Sequence, residues 1–407
     1  MKMKTTRAIV GAVVALTWVA NVGLVQQAVA KPLKVYILVG QSNMEGPANI
    51  KTFDYIGDDP KTAPMLKEMV KPDGTPVVCD HAWVSYLTGA KDKNFELTGK
   101  MTAGYGTMYG QDPTKPGKCI GPEFTFGIYM SKVVKEPFLI IKTAWGGKSL
   151  HTDFRPPSAG PYVPTEAELK KQEAKPEKAK ERAEATGVYY RMMVEHVKSV
   201  LKDIKRVYPG YDAKQGYEVA GFVWLQGFND LVAGDTYMPK PGSQVRDYTK
   251  YGEWLADFIR DARKDFGAPK MPFVIGVLGV GGLEANESTK AFRMAMAAPA
   301  SLPEFKGNVV AVETAPFWSA ELGAIDEKRG KIKQKKWELG NKVKDGKMTK
   351  AEAELAGKKL EAELISPKEQ ALWERGASNA GYHYLGCAKT FALMGKAFAE
   401  ALLSLEK

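Results

Sequence analysis

Five short apolar runs rich in Val, Ile and Phe, separated by stretches with helical spacing, constrain this chain more than any other feature of its sequence. They are Lys34–Val39, Phe138–Thr143, Val219–Leu225, Phe273–Leu278 and Val309–Glu313, with Pro76–Trp83 a weaker sixth. Runs that are apolar throughout suit strands buried on both faces, the situation of a parallel sheet covered by helices above and below. Helical patterns over Glu123–Val134, Tyr189–Val207, Asp247–Phe266, Ser288–Met296 and Leu385–Leu403 supply that cover. The alternation predicts an α/β chain folded as a three-layer αβα sandwich, with a central, mostly parallel sheet of five strands.

Two segments break the alternation. Thr165 to Thr186 and Asp326 to Glu369 are dominated by Lys, Glu and Ala, and Thr349 with Glu352 has the spacing of a capping box. Neither keeps an apolar heptad, so both read as charged helical insertions, at about 160–187 and 320–370, serving as lids or as decoration. Residues 31–407 then make one domain. Residues 1–30 have the form of a signal peptide: Lys2, Lys4 and Arg7 lead an apolar run from Ala8 to Val25, and Ala28-Val29-Ala30 fits a cleavage site. Export to the periplasm or the exterior follows, with no stable membrane insertion after cleavage, because no later run is long enough to span.

The formal charge of +11 falls to +8 without the three leader cations, and the remaining bases are interleaved with glutamate. That pattern belongs to solvated helices, and no nucleic-acid partner is expected. Of the three cysteines, Cys79 and Cys119 are the only pair to consider for a disulfide, while Cys387 lies in the apolar pattern of the last helix. The His and Cys residues form no metal-binding spacing, so neither a metal nor another cofactor is expected.

Chemistry gathers where strands stop. Ser42 follows the first apolar run in Gly40-Gln41-Ser42-Asn43-Met44, and the carboxyl ends of parallel strands open onto the ligand crevice. A serine nucleophile needs a base, and of four histidines His383, on a loop ahead of the last helix, is the best placed. An ester's tetrahedral intermediate also needs donors at its oxyanion. Two other strand ends offer them: Ala144-Trp145-Gly146-Gly147-Lys148 and Gln226-Gly227-Phe228-Asn229-Asp230. The nucleophile elbow G-x-S-x-G is absent, since Met44 stands at its last glycine. A phosphate-binding loop at Gly147-Lys148-Ser149 is disfavoured, because Lys142 occupies the position of its first glycine.

In their order, Gly40-Gln41-Ser42-Asn43-Met44, Ala144-Trp145-Gly146-Gly147, Gly227-Phe228-Asn229-Asp230 and the late His383 resemble the four blocks of the SGNH (GDSL-type) hydrolases, a flavodoxin-like fold. The first block is most similar to the sialate O-acetylesterase-like branch, carbohydrate esterase family 6. The resemblance implies Ser42 as nucleophile and His383 as general base. It implies an oxyanion hole from the amides of Ser42 and Gly146 or Gly147, with the side chain of Asn229 or Gln226. The family's D-x-x-H acid falls on Ala380 here. A Ser–His dyad, Asn379, a backbone carbonyl, or a carboxylate such as Glu313 are the alternatives for orienting the imidazole. Gln41, Trp145, Lys148, His151 and Arg155 are candidates for contacting the substrate.

The expected activity is therefore that of an exported serine esterase removing O-acetyl groups from a polysaccharide or a sialic-acid-like sugar. A sugar-binding protein that keeps the fold without efficient turnover is the alternative, and Ala380 is its support.

Overall fold

Of the residues in the first strand, Leu33–Gly40, only Lys34 escapes full burial, which is what a run of Leu, Val, Tyr and Ile at the middle of a covered sheet requires. The protein is described by a computed structural model covering residues 31–90 and 93–406. Its strands are β1 (Leu33–Gly40), β2 (Ala48–Asn49), β3 (Val78–Ala90), β4 (Lys93–Thr102), β5 (Cys119–Ile120), β6 (Phe138–Ala144), β7 (Tyr217–Leu225), β8 (Phe273–Val277) and β9 (Val309–Glu313). Seven of them form one sheet in the order β4-β3-β6-β1-β7-β8-β9, and β2 pairs with β5 apart from it. Neighbours in the large sheet are parallel except β3 and β4.

The architecture is the expected α/β sandwich, with the five predicted strands contiguous as β6-β1-β7-β8-β9. The sheet nevertheless has seven strands rather than five. The weak sixth run extends to Ala90 and turns back as β4, whose sequence KNFELTGKMT alternates polar and apolar residues. Lysine-bearing, half-solvated strands of this kind suit a sheet edge and leave little apolar signal.

Helices cover both faces. Tyr36 and Gly221 look to one side, where Tyr36 meets Phe126 edge-on and the space beside Gly221 is filled by Leu402. There the helices Glu123–Val133 and Ala388–Leu405 cross so closely that a Cβ at Gly395 would lie 2.1 Å from the Pro122 carbonyl oxygen. On the other side Phe222 and Trp224 pack on Phe258 of the helix Thr249–Asp265, with centroids 5.9 and 4.3 Å away. Burying aromatic rings of this size contributes roughly 2–3 kcal/mol each and fixes which way the strands face.

Both insertions are helical. The first forms Glu166–Glu173 and Pro176–Ala185, the second Ala320–Lys344, Lys350–Leu364 and Pro367–Gly376. Thr349 and Glu352 make the capping box that their spacing predicts. Cys79, Cys119 and Cys387 are all free thiols, so the one disulfide considered does not form, and Cys387 is buried in packing. The residues from Pro32 onward make one compact unit. The leader lies outside the described residues. Among the described residues no helix is long and apolar enough to cross a membrane.

Candidate active site

The sheet delivers Ser42 by closing β1 against β7. A Cβ at Gly40 would fall 2.1 Å from the Leu225 carbonyl oxygen, so only glycine lets the two backbones meet there. Gln41 N–H then donates to that same carbonyl at 3.3 Å, and the chain turns sharply into the short helix Ser42–Glu45. Met44 and Glu45 N–H both return to the Gln41 carbonyl, at 2.7 and 2.8 Å, while Ser42 N–H, first in the turn, has no partner among the described residues. Beneath the turn lies a charged pair that the sequence reading missed. The Lys142 ammonium, fully buried, donates to the carbonyls of Glu45 and Tyr105 at 2.9 and 2.6 Å and to Glu123 Oε2 at 2.7 Å. All three of its N–H groups are thereby satisfied, which is what keeps a buried lysine charged. Burial pulls Lys142 below the usual lysine range and Glu123 above the usual carboxylate range, and each partner opposes the other's shift.

His383 is presented by a strained turn. The final helix begins at Ala388 rather than Leu385, and Gly381–Gly386 coils ahead of it with Tyr384 and Leu385 at φ 49° and 60°. Left-handed conformations cost a non-glycine residue about 1–2 kcal/mol. They are offset here by Tyr384, whose hydroxyl accepts from Gly279 N–H at 2.7 Å and shares a 2.8 Å bond with Thr314, and by Leu385, whose carbonyl accepts from Ser378 and Asn379 N–H. Conformations of this kind are held where a side chain must be aimed.

The imidazole's tautomer follows from its neighbour. Asn379 Oδ1 accepts Ala380 N–H at 2.8 Å, which identifies that atom as the oxygen, and the same atom lies 2.9 Å from His383 Nδ1. Nδ1 is therefore the protonated nitrogen, and Nε2 carries the lone pair that a general base needs. Burial moves His383 down to about 4, with no carboxylate among the described residues acting on it. Of the groups considered for orienting the ring, Asn379 makes the contact. Glu313, whose charged neighbour is Arg293, does not.

The Ser42 turn and the His383 loop are joined by a residue beside each: Asn43 Nδ2 donates to the Tyr382 carbonyl at 3.2 Å. No hydrogen bond links Ser42 Oγ to His383 among the described residues. Such contacts commonly tighten only when a substrate is bound.

Asn229 reaches the same end of the sheet, and its orientation can be deduced. Gln41 Oε1 accepts the backbone N–H groups of Gly227 and Asn229 at 3.2 and 3.3 Å, so the Gln41 nitrogen is its other terminus, which donates to Asn229 Oδ1 at 2.9 Å. The Asn229 amide nitrogen must point away from Gln41, where it has no partner among the described residues. Gln226 is different. Its nitrogen is already bound to Gln41 Oε1, the Lys148 carbonyl and Asp230 Oδ2, so it has nothing left for an oxyanion. Gln41 in turn is 1% exposed and positions Asn229 rather than touching solvent.

Gly146 lies against Ser42, since a Cβ there would be 3.8 Å from the serine's Cβ and 3.3 Å from Glu45 Oε2. Its backbone N–H turns to the Glu45 carboxyl, which burial raises and this bond and Thr88 lower. Gly147, at φ 71°, has open space around it.

The remaining candidates are placed by burial rather than by residue type. Trp145 is wholly buried among Phe154 and Tyr189, its indole N–H on Asn94, and is core. Arg155 is 6% exposed, and its guanidinium donates to the carbonyls of Gly160, His151 and Ala159, so it clamps a loop. Lys148 lies over Tyr189 with Asp153 3.7 Å from its ammonium. His151 is buried: Nδ1 meets Asp230 Oδ1 at 2.8 Å and Nε2 accepts from Arg182, in the first insertion, at 3.0 Å.

The second residue missed is Asp230, beside Asn229. Its fully buried carboxylate accepts from Leu150 N–H, His151 N–H, His151 Nδ1, the Tyr237 hydroxyl and the Gln226 amide, which ties the Gly146-Gly147 turn to the Asn229 segment. Those contacts hold it below the usual carboxylate range despite burial. Among the described residues no three His, Cys, Asp or Glu side chains gather as metal ligands.

Comparison with known proteins bears on the same region. Solved structures that this chain matches include a protein of Arabidopsis thaliana, 17% identical, covering 70% of this chain and 86% of that one at a TM-score of 0.36. They also include a carbohydrate acetylesterase from Xanthomonas citri, 15% identical, covering 69% and 49% of the two chains at 0.37, and NanS, 13% identical, covering 70% and 78% at 0.36. The chain thus spans about half of the Xanthomonas protein. No curated protein gives a significant sequence match. A family profile described as "Carbohydrate esterase, sialic acid-specific acetylesterase" matches residues 32–316, which carry Ser42, the Gly146-Gly147 turn and Asn229. With most of its length inside that profile, the chain belongs to this carbohydrate esterase family.

Proposed function

We propose that the protein removes O-acetyl groups from an acetylated carbohydrate through an acetyl-Ser42 intermediate. The observation that carries this reading is the deduced orientation of two side chains at the end of the sheet where Ser42 heads its turn: His383 with Nε2 unprotonated, on a loop bonded to Asn43 beside Ser42, and Asn229 with its amide nitrogen unpartnered among the described residues. Ser42 Oγ attacks the acetyl carbonyl carbon as its proton passes to His383 Nε2. The oxyanion is met by Ser42 N–H, Asn229 Nδ2 and the Gly147 turn, donors worth roughly 3 kcal/mol each in the transition state. The sugar hydroxyl departs with the proton from His383; water, deprotonated by the same nitrogen, then attacks the acetyl carbon, and acetate leaves as the Ser42 Oγ–carbon bond breaks and His383 returns that proton to Ser42 Oγ. The signal-peptide pattern in the sequence of residues 1–30 supports export to the periplasm or beyond.

The reading is tested by hydrolysis of p-nitrophenyl acetate by the chain from Lys31, compared with Ser42→Ala. Loss of turnover is expected, and equal rates end the proposal. Ala380 at the position of the family's acid, with neutral Asn379 as the partner of His383 instead, favours the second reading, a binding protein with little turnover. That reading predicts glycan binding in both proteins and hydrolysis in neither.

A further inference from the structure

The His383 loop also borders a cleft that the ester chemistry does not use. It encloses about 570 Å³ and runs from Gly381 past Trp318 to the Gly281-Gly282 turn after β8 and the first turns of the helix Ala320–Lys344. Trp318 is half-buried in its wall, and its indole N–H has no hydrogen-bond partner among the described residues. Glycines surround the ring: a Cβ at Gly282 would be 2.8 Å from the indole Cδ1, and one at Gly323 would be 2.7 Å from Nε1. No side chain could stand at either position without displacing the indole. Asp326 is the second unpaired group. Its carboxylate lies over Gly381, 2.9 Å from where a Cβ would be, with no hydrogen bond or ion pair to any described residue. Burial raises it above the usual aspartate range, and Arg329 only partly opposes this.

A half-open aromatic ring with an unpartnered N–H donor at Gly323, and an unpaired carboxylate acceptor that shares the Gly381 wall with the ring's far edge, has the features that hold a sugar ring: an apolar face to stack on and groups that bind hydroxyls. Charge selects among sugars. The residues lining the cleft include the acids Glu284, Asp326 and Glu327 and no base. A substrate carboxylate here would be repelled. We propose that this cleft binds an uncharged sugar residue of the glycan, adjoining the one that carries the ester, so that an ester with a neutral neighbouring sugar is accepted in preference to one whose neighbouring sugar is acidic. This rests on the esterase reading of Ser42 and His383.

The test uses the chain from Lys31 as wild type, Trp318→Ala, Trp318→Phe and Asp326→Asn, with partially O-acetylated xylo-oligosaccharide as the neutral ester and O-acetylated oligosialic acid, in which every neighbouring sugar carries a carboxylate, as the acidic one. Trp318→Ala should raise KM for the neutral ester about 3- to 10-fold, more than it raises KM for p-nitrophenyl acetate, with Trp318→Phe intermediate. Asp326→Asn should narrow the wild-type preference for the neutral ester. Wild-type preference for the acidic ester, or an unchanged KM for the neutral one in Trp318→Ala, overturns the proposal. Calorimetric binding of the deacetylated xylo-oligosaccharide to each variant separates the two readings. If no protein hydrolyses any ester, the esterase reading fails, and the cleft assignment stands only if binding is present in wild type and weakened by Trp318→Ala. Should Trp318→Ala fail to fold, the Asp326→Asn preference and binding decide alone.

Discussion

Replacing Asn379 by aspartate would supply a charge where the imidazole now has only an amide. Asn379 Oδ1 is 2.9 Å from His383 Nδ1, and no carboxylate among the described residues acts on this ring, whose pKa is lowered to about 4 by burial. The Asn379→Asp oxygen can keep both the Ala380 N–H and the Nδ1–H bond, so the tautomer is preserved while an opposite charge is added. Two unit charges about 4 Å apart attract by about 4 kcal/mol at an effective dielectric of 20. His383 is half-exposed, and the shift observed for such pairs is about 1–3 in pKa. From about 4 the imidazole should therefore rise to about 5–7. The base works unprotonated, so kcat/KM is lost as pH falls through this value: the wild-type acid limb lies near pH 4 and that of Asn379→Asp above it. At pH 8 both rings are neutral, and the stronger base with a stabilised imidazolium should give about a tenfold higher kcat/KM. The assay is p-nitrophenyl acetate hydrolysis from pH 4 to 9, with the spontaneous rate subtracted. An acid limb that does not move, together with an unchanged rate at pH 8, refutes the assignment of Asn379 as orienting group.

Other perturbations follow from the same contacts. Asn229→Ala should lower kcat on p-nitrophenyl acetate about 10²- to 10³-fold with little change in KM, because it removes a donor to the transition state; Gln226→Ala should do less to kcat and show its effect in thermal stability. Lys142→Met leaves Glu123 buried without its cation and should cost about 3–5 kcal/mol in urea unfolding, whereas Lys142→Met with Glu123→Leu should recover part of that. Between pH 7 and 4 stability should fall. His196 and His383 are both held down to about 4 in the fold, so the unfolded chain, with histidine near 6.5, takes up those protons first, and below about pH 4 this contribution no longer changes. Urea midpoints across that range check the direction.

What the sequence disclosed and what it hid divides along physical lines. The five predicted strands were legible because each carries an unbroken apolar stretch: β1, β6, β7 and β8 are covered on both faces, and β9, at the other edge, is Val-Val-Ala-Val before Glu313. β4 was not, because an edge strand with Lys93, Glu96 and Lys100 carries the pattern of a solvated segment. Ser42, Asn229 and His383 stood out because each follows or precedes an apolar element and falls in an ordered motif. Trp145 and Arg155 were misplaced for a related reason: residue type suggests contact with sugar, yet burial decides the matter, and the sequence does not say which Trp is covered. Trp318, overlooked, is the one that borders an open cleft. The buried lysine did leave a signal, since Lys142 is the only charge in the run Phe138–Ala144. The Asn379 contact left none, because it depends on a left-handed turn at Tyr384 and Leu385 that no residue there advertises.

The account stands on Ser42 and His383 acting on one carbonyl, and covalent labelling addresses that most directly. The chain from Lys31 should react stoichiometrically with a fluorophosphonate, mass spectrometry of the digest should place the adduct on Ser42, and His383→Ala should slow labelling by orders of magnitude while remaining folded. Ester hydrolysis that continues with Ser42 unlabelled, or labelling unaffected by His383→Ala, would contradict it.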